Sequence, residues 1–181
     1  TGNVFAYKHG EPKWDGNEHE VAGYRNAKGE PVLPFYTELP KSVSPDDAIW
    51  PHELQPHTTF AKRGSISNWD WYPEYLEGDF CTLKEVRLGW GDTDHYAPSP
   101  ALEALADVYK YWIAYADIDG YRIDTVKHMD AGAVRYFGSV IHEFAQRVGK
   151  ENFYLIGEIT GGREFAFHKL DETGLDAALG V

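Results

Sequence analysis

One short stretch of this 181-residue sequence, Asp119-Gly120-Tyr121-Arg122-Ile123-Asp124-Thr125-Val126-Lys127-His128, is rich in charge and set between two long segments of apolar periodicity. Large and charged side chains alternate from Tyr121 to Asp124, the period of a β-strand. Arg122 and Asp124 are two positions apart, so on a strand they share a face. A guanidinium beside a carboxyl favours its anion. An anionic carboxylate at a strand end is what nucleophilic carboxyl chemistry requires. Taken alone, Arg-x-Asp reads equally as a structural ion pair.

The flanking elements decide what that pair can do. In the segment from Ala131 to Gly149, Val134, Phe137, Ile141, Phe144 and Val148 recur at steps of three and four, which predicts a helix, and Gly149 suits a left-handed helix end. Asn152-Phe153-Tyr154-Leu155-Ile156-Gly157-Glu158 is then a continuous apolar run closing on a carboxylate, the mark of a parallel strand buried on both faces. Strand, helix and strand make a βαβ unit. Asp124 and Glu158 therefore end two successive parallel strands at the C-terminal edge, where α/β barrels keep their chemistry. Neighbouring strands lie about 4.8 Å apart, so carboxyl groups at adjacent strand ends can come close together. Asp124, beside a cation, is expected to be the anion. Glu158, after an apolar strand and Gly157, is expected to be partly desolvated and shifted towards an acid.

These residues also carry a resemblance. Asp119 to Asp124 with Lys127-His128 resembles the second conserved region of the α-amylase family of glycoside hydrolases (family 13). Gly157-Glu158, next in order, resembles the third. The resemblance implies an α/β fold: a partial (β/α)8 (TIM) barrel carrying an irregular inserted lobe, with the barrel not closed within this chain. Residues 1–98 would be the lobe after the third barrel strand, and 99–181 the βα units around strands four, five and the start of six. It implies a retaining α-glycosidase acting on α-glucans such as starch or maltooligosaccharides, with Asp124 as nucleophile, Glu158 as acid/base and Arg122 orienting Asp124. Lys127 and His128 would bind sugar hydroxyls. A transglycosylase or isomerase shares these motifs, and a non-catalytic glycan-binding relative is the other reading. The family's third catalytic aspartate and its first-region histidine do not occur in this sequence. The stretch is thus read as an internal fragment, inactive alone, that self-associates or needs the missing barrel portions. The family often binds calcium, but the usual ligands are not evident: Thr82, within Phe80-Cys81-Thr82-Leu83-Lys84, stands where relatives carry a calcium-binding aspartate.

Upstream, Ser99-Pro100 is a helix start, and Leu102, Leu105, Val108, Tyr109, Trp112 and Ile113 predict one apolar face as far as Tyr115. Downstream, Glu164 to Leu170 suits a short helix and Gly174 to Val181 a further strand. The first 98 residues hold most of the ten prolines and no lasting period. Short runs such as Pro31-Val32-Leu33-Pro34-Phe35-Tyr36 suggest irregular strands and turns. Trp69, Trp71, Tyr72 and Tyr75 are the densest aromatic cluster; most aromatics are expected in the core, the exposed ones being suited to stacking on sugar C–H faces. Gly91-Asp92-Thr93-Asp94-His95 imitates a metal loop but falls short of an EF-hand, and turn chemistry is the better reading.

Composition narrows the partners. The formal charge of −12 argues against nucleic acid and anionic membranes, whose phosphates it would repel, and fits a neutral glycan. The single cysteine, Cys81, excludes an intrachain disulfide. No run of about 18 apolar residues is present, no signal peptide opens the sequence, and no glycine-rich phosphate loop supports a nucleotide-binding domain.

Overall fold

The computed structural model describes residues 4–32 and 51–180. The chain divides into two units between Arg87 and Leu88. Thr1 to Asn3 and the run from Leu33 to Tyr36, for which the sequence suggests strand-like structure, lie outside the described residues.

In the first unit, β1 (Val4–Tyr7) pairs antiparallel with β2 (Val21–Arg25), with a shift in register at Ala6/Tyr7. Prolines remove backbone donors, and the described residues between β2 and Arg87 are mostly turns and isolated bridges. A small apolar core forms from Phe5, Tyr7, Val21 and Phe60, the Phe5 and Phe60 rings lying 4.5 Å apart. Beside it is a buried polar knot. Asp79 has no exposed surface. Its carboxylate accepts from the Tyr7 hydroxyl at 2.6 Å and from the Glu85 N–H at 2.9 Å, while the Tyr7 oxygen accepts from the Gly64 N–H at 2.9 Å. Near the one-turn helix α1 (Glu74–Glu77), buried Glu74 accepts from the N–H groups of Ser67 and Asn68 at 2.5 and 2.8 Å. The turn so fixed leaves Trp71 and Tyr72 exposed.

The second unit opens with a minimal hairpin, β3 (Gly89–Trp90) against β4 (Ala97–Pro98). Ser99 then accepts from the Leu102 N–H at 3.2 Å and caps α2 (Pro100–Ala116), which Asp117 ends in a left-handed conformation. The chain continues as β5 (Gly120–Ile123), a 3-10 turn (Val126–His128), α3 (Ala131–Arg147), β6 (Tyr154–Ile159), α4 (Arg163–Thr173) and β7 (Ala177–Gly180). The three strands form one parallel sheet in the order β5-β6-β7. Ile113, Val126, Val134, Ile141, Leu155 and Ile159 form its core. Among the described residues the sheet does not close into a barrel, and no helix is long and apolar enough to cross a membrane.

Two expectations about faces need correction. On α2, Leu102 and Ile113 are buried, but Val108, Tyr109 and Trp112 are more than a third exposed. The stripe is apolar, yet no described element of this unit covers its far flank, where Tyr111 stacks on Tyr115 with ring centroids 5.4 Å apart. On α3, Val148 is exposed because it follows the last helical turn; Gly149 does take the left-handed end, at φ 84°.

Removing one partner of a buried, hydrogen-bonded charge typically costs about 3–5 kcal/mol. Asp79→Ala strands the Tyr7 hydroxyl and the Glu85 N–H, and is expected to lower the stability of the first unit by about that amount. Urea unfolding and limited proteolysis of residues 1–87 measure it.

Candidate active site

The register of β5 on β6 pairs Gly120 with Tyr154 and Ile123 with Gly157. One further step sets Asp124 opposite Glu158. Strand alternation sends Leu155 and Ile159 into the helix-covered core. It sends Arg122, Asp124 and Glu158 to the other face.

On that face the three side chains meet. Arg122 Nη1 lies 3.0 Å from Asp124 Oδ1, and Nη2 lies 2.9 Å from Glu158 Oε1. The two carboxyl groups thus share one guanidinium. The hydrogen bond from Glu158 comes first among the causes that hold Asp124 below the usual aspartate range, followed on the lowering side by the Arg122 charge; partial desolvation opposes them. The apolar surround expected for Glu158 is replaced by a polar one, since its carboxyl also takes the Thr125 N–H at 3.2 Å.

Thr125 is a contributor that side-chain reading missed. It adopts a left-handed conformation, φ 50°, which turns its N–H back towards β6. Gly157 permits this closure. A Cβ on Gly157 would lie 2.7 Å from a Leu175 methyl and 3.1 Å from a Val126 methyl. A side chain at position 157 would press on Leu175 and on the loop after β5, so glycine eases the packing of both onto β6.

Lys127 and His128 close the 3-10 turn that succeeds β5. Lys127 is buried, its ammonium 6.0 Å from the Phe165 ring centroid, and His128 is partly buried. Along the outer side of β5 runs a cavity of about 300 Å³, lined by Leu102, Leu105, Tyr109 and Phe137 and reaching Arg122 and Asp124.

No group of three or more His, Cys, Asp or Glu side chains converges on a metal position among the described residues. Asp92, in the stretch that imitates a metal loop, spends its carboxylate on the N–H groups of Asp94 and His95 at 3.0 and 2.8 Å, which is turn chemistry. Thr82 stands where the resembled family often carries a calcium-binding aspartate, and the residues around it do not fit calcium. The Thr82 carbonyl oxygen, with carboxylate oxygens of Glu11 and Asp79, faces the Lys84 ammonium, and a divalent ion in that space would meet a fixed like charge.

No protein-family model matches the sequence. The chain is 26% identical over 144 residues to a cyclomaltodextrin glucanotransferase of Klebsiella oxytoca, spanning 80% of this chain and 19% of that protein. It is 33% identical over 94 residues to the alpha-amylase SusG of Bacteroides thetaiotaomicron, spanning 47% of this chain and 13% of that protein. In fold it is similar to an Anoxybacillus alpha-amylase, with a TM-score of 0.56 and 26% identity across 68% of this chain and 25% of the other. The chain thus spans less than a third of the length of each of these proteins.

The contacts set a titration order. A depressed folded-state pKa contributes stability that is present above the unfolded carboxylate value of about 3.9 and is lost as pH falls through the lower folded value. The Asp124 carboxyl is expected to titrate below that value in carbon-detected NMR. Arg122→Ala is expected to move its midpoint upward.

Proposed function

Because this chain is a relative of the α-amylase family of glycoside hydrolases, family 13, we propose that it contributes the catalytic carboxyl pair of a retaining α-glycosidase acting on α-glucans. The observation that carries this reading is the convergence of Asp124 and Glu158, from adjacent parallel strands, on Arg122, which touches both. An inverting enzyme keeps its carboxyl groups roughly 6.5–9.5 Å apart to admit a water between them. Carboxyl groups held on one guanidinium from neighbouring strands, about 4.8 Å apart, suit the closer spacing of a retaining enzyme.

In the proposed cycle the Asp124 carboxylate attacks the anomeric carbon while the Glu158 carboxylic acid protonates the leaving oxygen. The leaving sugar departs and a glycosyl ester remains on Asp124. Glu158, now anionic, takes a proton from the incoming hydroxyl, which displaces Asp124 and regenerates both groups. Arg122 holds Asp124 in its anionic form and positions it. Lys127 and His128 are proposed to meet substrate hydroxyls beyond the cleaved bond. The first unit is proposed to be the lobe inserted after a third barrel strand, and residues 99–181 part of the barrel itself. Exposed Trp71 and Tyr72 offer flat faces suited to sugar rings, in keeping with a glycan partner.

One relative is a glucanotransferase, which supports a second outcome for the same intermediate. A sugar hydroxyl in place of water at the deglycosylation step gives transfer instead of hydrolysis. Both use the same pair.

In the full-length gene product, Asp124→Asn is expected to lower turnover of a chromogenic maltooligoside by about four orders of magnitude while oligosaccharide binding persists. Turnover near wild type would remove Asp124 from the nucleophile role. The 181-residue chain by itself is expected to hydrolyse soluble starch negligibly. Its open sheet edges and the uncovered α2 stripe are expected to drive self-association. Light scattering across a dilution series checks the latter, and a dilution-stable monomer contradicts it.

A further inference from the structure

Lys84 is charged, yet its side chain is only 3% exposed. Its ammonium sits in a cage of oxygens: Glu11 Oε2 at 2.8 Å, the Thr82 carbonyl oxygen at 3.1 Å and Asp79 Oδ2 at 3.6 Å. The Tyr7 ring closes another side, its centroid 4.7 Å away. Two carboxylates and a backbone carbonyl are oxygen ligands of the kind a hard divalent cation takes, three of the roughly six to eight that calcium uses, the remainder being water. Buried lysines are rare unless paired, and this one is paired on three sides. The cage ties together parts of the first unit that are far apart in sequence: the segment after β1, the turn at Thr82, and through Asp79 the Tyr7 hydroxyl and the Glu85 N–H.

We propose that the Lys84 ammonium is a built-in structural cation of the first unit, occupying an oxygen cage that would otherwise take a divalent metal ion, so that this unit holds its fold without calcium. A tethered ammonium carries one charge, whereas the cage supplies two carboxylates. Glu85, next along the chain, is accordingly pushed up to about 8, by burial first and then by the Asp79 charge. Glu85 therefore holds its proton to higher pH than an exposed glutamate does. The inference does not depend on the glycosidase reading, because it concerns only contacts within residues 1–87.

Truncating Lys84 leaves the two carboxylates and the carbonyl facing one another across a space the ammonium had filled. Lys84→Ala therefore creates a calcium site, its remaining positions filled by water. Lys84→Met removes the charge but keeps the space filled, and creates none.

The test is thermal unfolding of the 181-residue chain with chelator, with millimolar calcium and with millimolar magnesium, followed by terbium luminescence excited through tyrosine. The wild type is expected to unfold at the same temperature in chelator and in calcium, and to give no sensitised terbium emission. Lys84→Ala is expected to lose about 10 °C or more in chelator. Calcium should restore at least half of that loss and magnesium less, since magnesium resists dehydration and demands a stricter geometry. Terbium should light up in this variant through nearby Tyr7. Lys84→Met is expected to lose a similar amount without rescue. A wild type destabilised by chelator overturns the proposal, whatever the variants do. So does a Lys84→Ala protein that neither responds to calcium nor sensitises terbium, or one as stable as the wild type.

Discussion

One guanidinium holds the site together. Arg122 reaches along its own strand to Asp124 and across the sheet to Glu158. Without it, two neighbouring acids would repel whenever both were ionised. With it, one acid can stay anionic while the other donates a proton. The planar fork of arginine suits this bridge, since its two terminal nitrogens reach two carboxylates at once; the single ammonium of lysine presents no such fork. The chemistry proposed for this edge depends on that fork lying in the plane between β5 and β6.

The fork works only because the strands are parallel and in this register. A slip of one residue would turn Glu158 into the core and place a hydrophobic side chain beside Asp124. The register is held from the helix-covered face, where Leu155 and Ile159 are almost wholly buried against Val126, Val134 and Ile141. Gly157 matters at the same level. It lets Val126 and Leu175 close over β6, and that closure brings the Thr125 N–H to Glu158. The apolar side of the sheet thus sets the geometry of the polar side.

Some of this was legible from the sequence and some was not. The shared face of Arg122 and Asp124 follows from a period of two within four residues, and the helices and the last strand follow from spacing and caps. The pairing of Asp124 with Glu158 required the βαβ connection as well, because it joins residues on different strands. The exposed side of α2 was misread, since periodicity reports which residues are apolar, not whether anything lies against them. The polar knot of the first unit could not be read at all. Tyr7 and Asp79 are 72 positions apart, and no local pattern signals that a tyrosine, an aspartate and a lysine will converge where the apolar core is small.

Asp124 remains two-thirds exposed within its own unit, while Glu158 is about one-fifth exposed. A carboxylate in contact with bulk water interacts with its neighbours through a high dielectric, where an ion pair is worth a small fraction of its value in a dry site. Transition-state stabilisation by fixed charges depends on excluding that water. The sheet supplies the relative positions of the three side chains, and the helix-covered core keeps them. It does not supply a low-dielectric enclosure on the face where they meet. Position and enclosure are therefore separable in this protein: the first is encoded by strand register and by Gly157 within residues 88–181, and the second requires further surface packed against the open face of β5 and β6.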